Sequence, residues 1–286
     1  MRAIFFVFLF TPFYVIADGF QLAQDLNSRF NSLDDNCAAG TPIECSGVLL
    51  RSSEGNNTTW VPSAGSPQDQ NKALASSFIR MDIGADKIWG LSIFGFGIIY
   101  GEPIKKVSDA TPNTLCIFPI NANSNNRTNR GCGPNLYTLK ESNTTDLSYC
   151  ASMGIDTADA WLHLDYNLQC SFNIHDKNEA NEAILAQMIL NESAICEDCY
   201  QWNEILVDIS SWGSNPAELP ISALWYHKSH TSLDRKSGLA GAQNEQKLFY
   251  EQSGLFIPIL SISNDPADAE VFSYSPDEQV IDPYSL

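Results

Sequence analysis

Eight cysteines, from Cys37 to Cys199, follow an N-terminal stretch, MRAIFFVFLFTPFYVIADG, that is apolar almost throughout. Together these features decide which bonds can hold the fold. The leader has one basic residue, Arg2, an apolar run to Ile16, and small Ala17 ahead of Asp18, which is the pattern of a secretory signal peptide. It is shorter than the roughly 20 apolar residues a spanning helix needs, and no later segment is long and apolar enough to cross a bilayer. The expectation is cleavage after Ala17 and an exported chain, residues 18–286, with no membrane insertion. In an oxidising compartment eight thiols form four disulfides sooner than a metal site.

The cysteine spacings sharpen that expectation. Cys196 and Cys199, in ICEDC, have the spacing of half a zinc site, but a second CxxC or a histidine pair to complete it is missing. Their polar neighbours do not form the strand-to-helix setting of a redox pair either. They are expected to bridge each other, and no metal is expected. Cys37 and Cys45 flank a short loop, AAGTPIE, that a second bridge would close. Cys116, Cys132, Cys150 and Cys170 then share the other two bridges, with a connectivity that spacing leaves open.

With 44% hydrophobic and 11% aromatic residues the chain can build a substantial core. Neither a repeat nor a long linker marks a boundary, so one compact domain is expected. The net charge of -18 is spread along the chain without a basic stripe. That argues against nucleic acid and anionic membranes as partners.

GFQLAQDLNSRFNSL places Leu22, Leu26, Phe30 and Leu33 at helical spacing. TADAWLHLDYN and EANEAILAQMIL carry helical spacing too. SGVLLR, SSFIRMDI, KIWGLSIFGFGIIYG, LCIFPI, LQCSFNI, ELPISALWYH and GLFIPILSIS are short branched or aromatic runs bounded by Gly, Ser and Asn, which read as strands. The sum is an α+β domain with more strand than helix. NANSNNRTNRGCGPN reads as a surface loop, and the sequons at Asn57 with Thr59 and Asn143 with Thr145 point to exposure.

The succession CSGVLLR, SSFIRMD, CIFPI, RGCG, QCSF, then SGLAGAQ followed by FYEQSGLFIPIL, resembles the halovibrins, exported bacterial proteins described as ADP-ribosyltransferases and NAD glycohydrolases. The likeness covers most of the chain beyond the leader and includes the cysteine framework, although ICEDC is not part of it. It implies a catalytic domain over residues 18–286 with an ADP-ribosyltransferase-like fold. NAD would be its substrate, no cofactor would be needed, and a host protein would be a possible acceptor.

Cutting NAD at its nicotinamide bond passes through a ribosyl oxocarbenium, which calls for a carboxylate near the ribose. An arginine should meet the diphosphate, and aromatic or apolar surface should hold the nicotinamide. ADP-ribosylating folds often supply an arginine on one strand, a serine on a second and a glutamate after a Gly-containing turn. Laid on this chain, the arginine is Arg51, emerging at a sheet edge after SGVLLR, or otherwise a solvated strand-end charge. The serine is Ser77 or its neighbour Ser76, which otherwise simply start a strand. Arg80 is a second candidate for binding the substrate, and otherwise pairs with Asp82 on one strand face. In GLAGAQNEQ the order Gly241, Gln243, Glu245 resembles a Q-x-E turn whose glutamate touches the ribose and whose glutamine meets the acceptor. Glu245 is the expected catalytic carboxylate, with Glu251 next. The alternative is an ordinary helix, with Ala242, Leu248 and Phe249 on its buried side and Gly254 as its C-cap.

The chain has no Walker or dinucleotide-fold glycine fingerprint. His227 and His230 in WYHKSH, with His163 and His175, could offer a base or a ligand, but no HExxH or serine elbow accompanies them. They are expected to be surface or hydrogen-bonded structural residues, and Trp60, Trp89, Trp161 and Trp225 to belong to the core.

Overall fold

The computed structural model of the chain describes residues 19–34, 41–53, 58–64, 66, 68, 69, 72–84, 95–105, 112–120, 149–165, 170–192, 203–228, 238–263, 265, 268 and 270–282. Among these, the strands are β1 (Val48–Ser52), β2 (Ala73–Ile79), β3 (Phe96–Tyr100), β4 (Thr114–Phe118), β5 (Glu204–Asp208), β6 (Ile221–His227), β7 (Ile259–Ile262) and β8 (Phe272–Tyr274). They form one eight-stranded sheet in the order β4-β5-β2-β1-β3-β6-β7-β8. The α-helices are α1 (Gly19–Asn31), α2 (Pro42–Cys45), α3 (Tyr149–Ser152), α4 (Ala158–Asp165), α5 (Lys177–Glu192) and α6 (Leu239–Ser253). Among the described residues the fold is mixed α and β, and its eight strands outnumber its six α-helices.

Side chains alternate along a strand, so each inner strand feeds two cores. On one face Ala23, Leu26 and Phe30 of α1 pack against Val48, Leu50, Ile79, Trp225 and Leu260. On the other, Leu49, Phe78, Ile98, Leu224 and Ile259 meet Trp161 of α4, Ala183 and Ile184 of α5, and Ala242 and Phe249 of α6.

Neighbouring strands pair antiparallel except β6 and β7, which run parallel. A parallel pair needs a crossover rather than a hairpin, and a helix is its usual body. Here that body is α6, which lies between β6 and β7 in sequence and buries Gly241, Ala242, Glu245, Gln246 and Phe249. GLAGAQNEQ is therefore helix and not a Q-x-E turn. Gly254 caps it at φ 70°, its N–H donating to the Tyr250 carbonyl, in the left-handed conformation glycine adopts without strain. Leu248 is 38% exposed; the buried stripe runs instead through 242, 245, 246 and 249, the i, i+3, i+4, i+7 positions of one helix face.

Gly241 sets how closely α6 approaches the sheet, because a Cβ there would stand 2.4 Å from the Phe96 ring. Gly241→Ala is expected to lift the helix and destabilise the domain by about 1–3 kcal/mol, the usual cost of overpacking. A thermal midpoint equal to that of the parent would show that the ring can yield.

Two strands escape the sequence reading. β5, EILVD, is bracketed by acids, yet Glu204 and Asp208 are 1% and 3% exposed; β8 is only three residues long. Among the described residues of LQCSFNI, Phe172 makes an isolated bridge to Ile117 in place of a strand. Cys150 and Cys170 are bonded to each other, which resolves part of the open connectivity, and Cys45 and Cys116 are disulfide-bonded as well. Cys37, Cys132, Cys196, Cys199, the NANSNNRTNRGCGPN loop and the Asn143 sequon lie outside the described residues.

Candidate active site

The residues that gather chemistry lie on the α6 side of the sheet. Arg51 shares a strand face with Leu49, and Ser76 with Phe78, both of which pack on the α6 side. β1 is flanked by β2 and β3 in the middle of the sheet, so Arg51 does not emerge at an edge, nor is it solvated. It is 4% exposed, with Nε donating to the Thr59 carbonyl at 3.0 Å and Nη1 to the Ala75 carbonyl at 2.7 Å. A buried guanidinium held by carbonyls is a fixed positive charge inside the fold.

Thr59 joins that charge to Glu245. Its N–H donates to Glu245 Oε2 at 3.1 Å, while its carbonyl accepts from Arg51. Next to it, Trp60 is buried against Phe249 of α6 in an edge-to-face contact at 5.8 Å between ring centroids. This aromatic pair pins the segment after β1 onto the helix, four residues along from Glu245. Glu245 is 5% exposed, a carboxyl on the stripe where the helical pattern calls for an apolar residue. Burial pushes its pKa up from 4.5 to about 7, against the pull of the Thr59 N–H and, more weakly, the Thr59 hydroxyl.

Ser76 donates to the Tyr100 hydroxyl at 2.9 Å. Burial raises the Tyr100 phenol pKa, and the nearby Arg51 charge and the Ser76 bond pull it back. Arg51, Ser76 and Tyr100 thus form a polar cluster across β1, β2 and β3, linked to α6 through Thr59.

The other expected residues fall elsewhere. Ser77 alternates to the opposite face, where its hydroxyl donates to the Asn203 carbonyl at 3.2 Å. Arg80 is 3% exposed and makes a two-pronged ion pair with Asp82, both contacts at 2.7 Å, besides a bond to Ser46 Oγ. Gln243 donates to the Glu278 carbonyl at 2.9 Å, on a different side of α6 from Glu245. Residues two apart lie on one face of an extended strand but about 200° apart around a helix. Glu251 is exposed.

His163 and His175 are exposed, His227 is half-buried at the end of β6, and His230 lies outside the described residues. Among the described residues no group of three or more His, Cys, Asp or Glu could hold a metal ion, and no helix is long and apolar enough to cross a membrane. Trp161 and Trp225 are core residues, 0% exposed; Trp89 is not among those described.

Thr59 and Tyr100 are the site residues the sequence reading missed. Thr59 reads as the tail of an exposed sequon, yet it is 2% exposed. Its one sequence signal is the neighbouring Trp60, whose burial carries Thr59 inward. No protein-family model matches the chain, and no curated protein matches it.

Proposed function

We propose that the protein is an exported NAD-consuming enzyme that cleaves the nicotinamide–ribose bond, as an NAD glycohydrolase or mono-ADP-ribosyltransferase. The observation that carries this reading is a buried carboxyl, Glu245, whose pKa burial raises to about 7 and which is tied through the main chain of Thr59 to a buried arginine. The resemblance to the halovibrins supports it, as does the occurrence of an arginine, a serine and a glutamate on two strands and a third element. The ADP-ribosyltransferase-like fold belongs to this same proposal.

In the reaction the bond between ribose C1′ and the nicotinamide nitrogen breaks, and its electron pair leaves with nicotinamide. Glu245, ionised, stabilises the oxocarbenium and receives a proton from the attacking water as its oxygen bonds to C1′. The products are ADP-ribose, nicotinamide and a proton, and no cofactor enters the balance. A carboxyl poised near neutral pH suits this exchange, because it can both hold and release a proton there. NAD is the partner, and a host protein replaces water in the transferase variant.

The place of Gln243 favours water as the acceptor, since its amide is bonded to the Glu278 carbonyl away from Glu245. The test is incubation of the purified, disulfide-bonded chain with NAD, following nicotinamide release with and without added protein. Release is expected, and Gln243→Ala should release nicotinamide at the parental rate. If the folded parent releases none, the protein is instead an extracellular binding module.

A further inference from the structure

Thr59 serves both charged groups of the site through its main chain, while its hydroxyl lies beside the Glu245 carboxyl and, among the described residues, meets the geometry of a hydrogen bond with none. The residue is 2% exposed, and Oγ1 is buried without a hydrogen-bond partner among the described residues. Leaving a buried hydroxyl unpaired is costly, and native structures seldom do so without a reason. Core packing is not that reason, because valine has the same shape and would carry no such cost. The hydroxyl also lies near enough to Glu245 to favour its anion, and Glu245 keeps 5% of its surface open. A carboxylate that accepts, beside a hydroxyl that both donates and accepts, makes a pair matched to a second hydroxyl.

Resting on the glycosyl-transfer reading, we propose that Thr59 Oγ1 and the Glu245 carboxyl together receive a hydroxyl at the reacting centre, supplied by the NAD ribose or by the attacking water. The Thr59 main chain holds the pair in place: the carbonyl anchors it to Arg51 and the N–H fixes the carboxylate. Thr59 is thereby a residue that binds and positions, without changing its own covalent state.

The experiment compares the parent with Thr59→Val and Thr59→Ser in three readouts: NAD turnover, calorimetric binding of ADP-ribose, and thermal unfolding. Thr59→Val should keep or exceed the parental thermal midpoint, because it removes a buried hydroxyl that lacks a well-formed hydrogen bond, while turnover or affinity falls about tenfold or more. Thr59→Ser should restore most of the loss. Weakened ADP-ribose binding assigns the hydroxyl to the ribose; lower kcat with unchanged binding assigns it to water. Should the valine variant not fold, Thr59→Ser and Thr59→Ala differ in the hydroxyl alone, and the serine variant should exceed the alanine variant by the same factor. Parental turnover and affinity in Thr59→Val, or equality of the serine and alanine variants, overturns the inference and leaves NAD cleavage standing. A folded parent that neither cleaves NAD nor binds ADP-ribose removes the glycosyl-transfer reading, and this inference with it.

Discussion

Glu245→Gln is expected to lower kcat for NAD cleavage by about 10² to 10³, the loss typical of removing one transition-state electrostatic contact, with little change in NAD affinity. Glutamine keeps the shape and removes the negative charge that the oxocarbenium requires. The parental rate should rise with pH through about 7 as Glu245 ionises, and the variant should lack that limb. Stability should move the other way. The folded chain holds a proton on Glu245 that the unfolded chain releases from 4.5 upward. The stabilisation is therefore fully present below 4.5 and is lost as pH rises through about 7. Over this interval it amounts to about 3 kcal/mol. Glutamine cannot ionise, so the variant should be slower yet more stable than the parent at pH 8. Parental kcat in Glu245→Gln, with the rising limb intact, would leave Glu245 as a buried acid without a catalytic part.

Arg51→Ala should be the most destabilising single change at the site. It strips the Thr59 and Ala75 carbonyls of a donor inside the core, and each buried acceptor left unsatisfied costs about 1–3 kcal/mol. In a domain of this size the two together are worth roughly 10 °C in the thermal midpoint. Because Thr59 then loses one of its two anchors, turnover should fall too, and the pH limb assigned to Glu245 should shift. Arg51→Lys should recover only part, since an ammonium cannot reproduce the planar fork that reaches two carbonyls at once. Arg80→Ala is the internal comparison. It breaks a buried ion pair with Asp82 and should lower the midpoint without moving the pH limb, because the bonds described for Arg80 go to Asp82 and Ser46. An Arg51→Ala protein with the parental midpoint and turnover would refute this account of the buried arginine.

What the residues alone determine here is local. Branched and aromatic runs such as SGVLLR and ELPISALWYH make strands wherever the chain places them, because their side chains pack on a pleated surface. The spacing of Leu22, Leu26 and Phe30 makes α1 amphipathic in any context, and Gly254 ends α6 because glycine tolerates the left-handed turn. Tertiary structure decides what local pattern cannot express. β5 is a strand in spite of its acids because β2 and β4 flank it and supply its hydrogen-bond partners. Arg51 becomes a buried charge because β1 lies between β2 and β3, a pairing of segments distant in sequence. Ser76 is turned toward Tyr100 and Ser77 away from it by the register of β1 against β2, where a slip of one residue would exchange them. Glu245 reads in sequence as the carboxylate of a Q-x-E turn or as one residue of an ordinary helix, and neither reading buries it. It acquires a pKa near 7 because the parallel pairing of β6 with β7 sends α6 back across the sheet and buries it, against the downward pull of the Thr59 N–H and hydroxyl that Trp60 carries onto it. Burial and long-range partners shift an ionisable group, and neither is a property of the residues beside it in the chain.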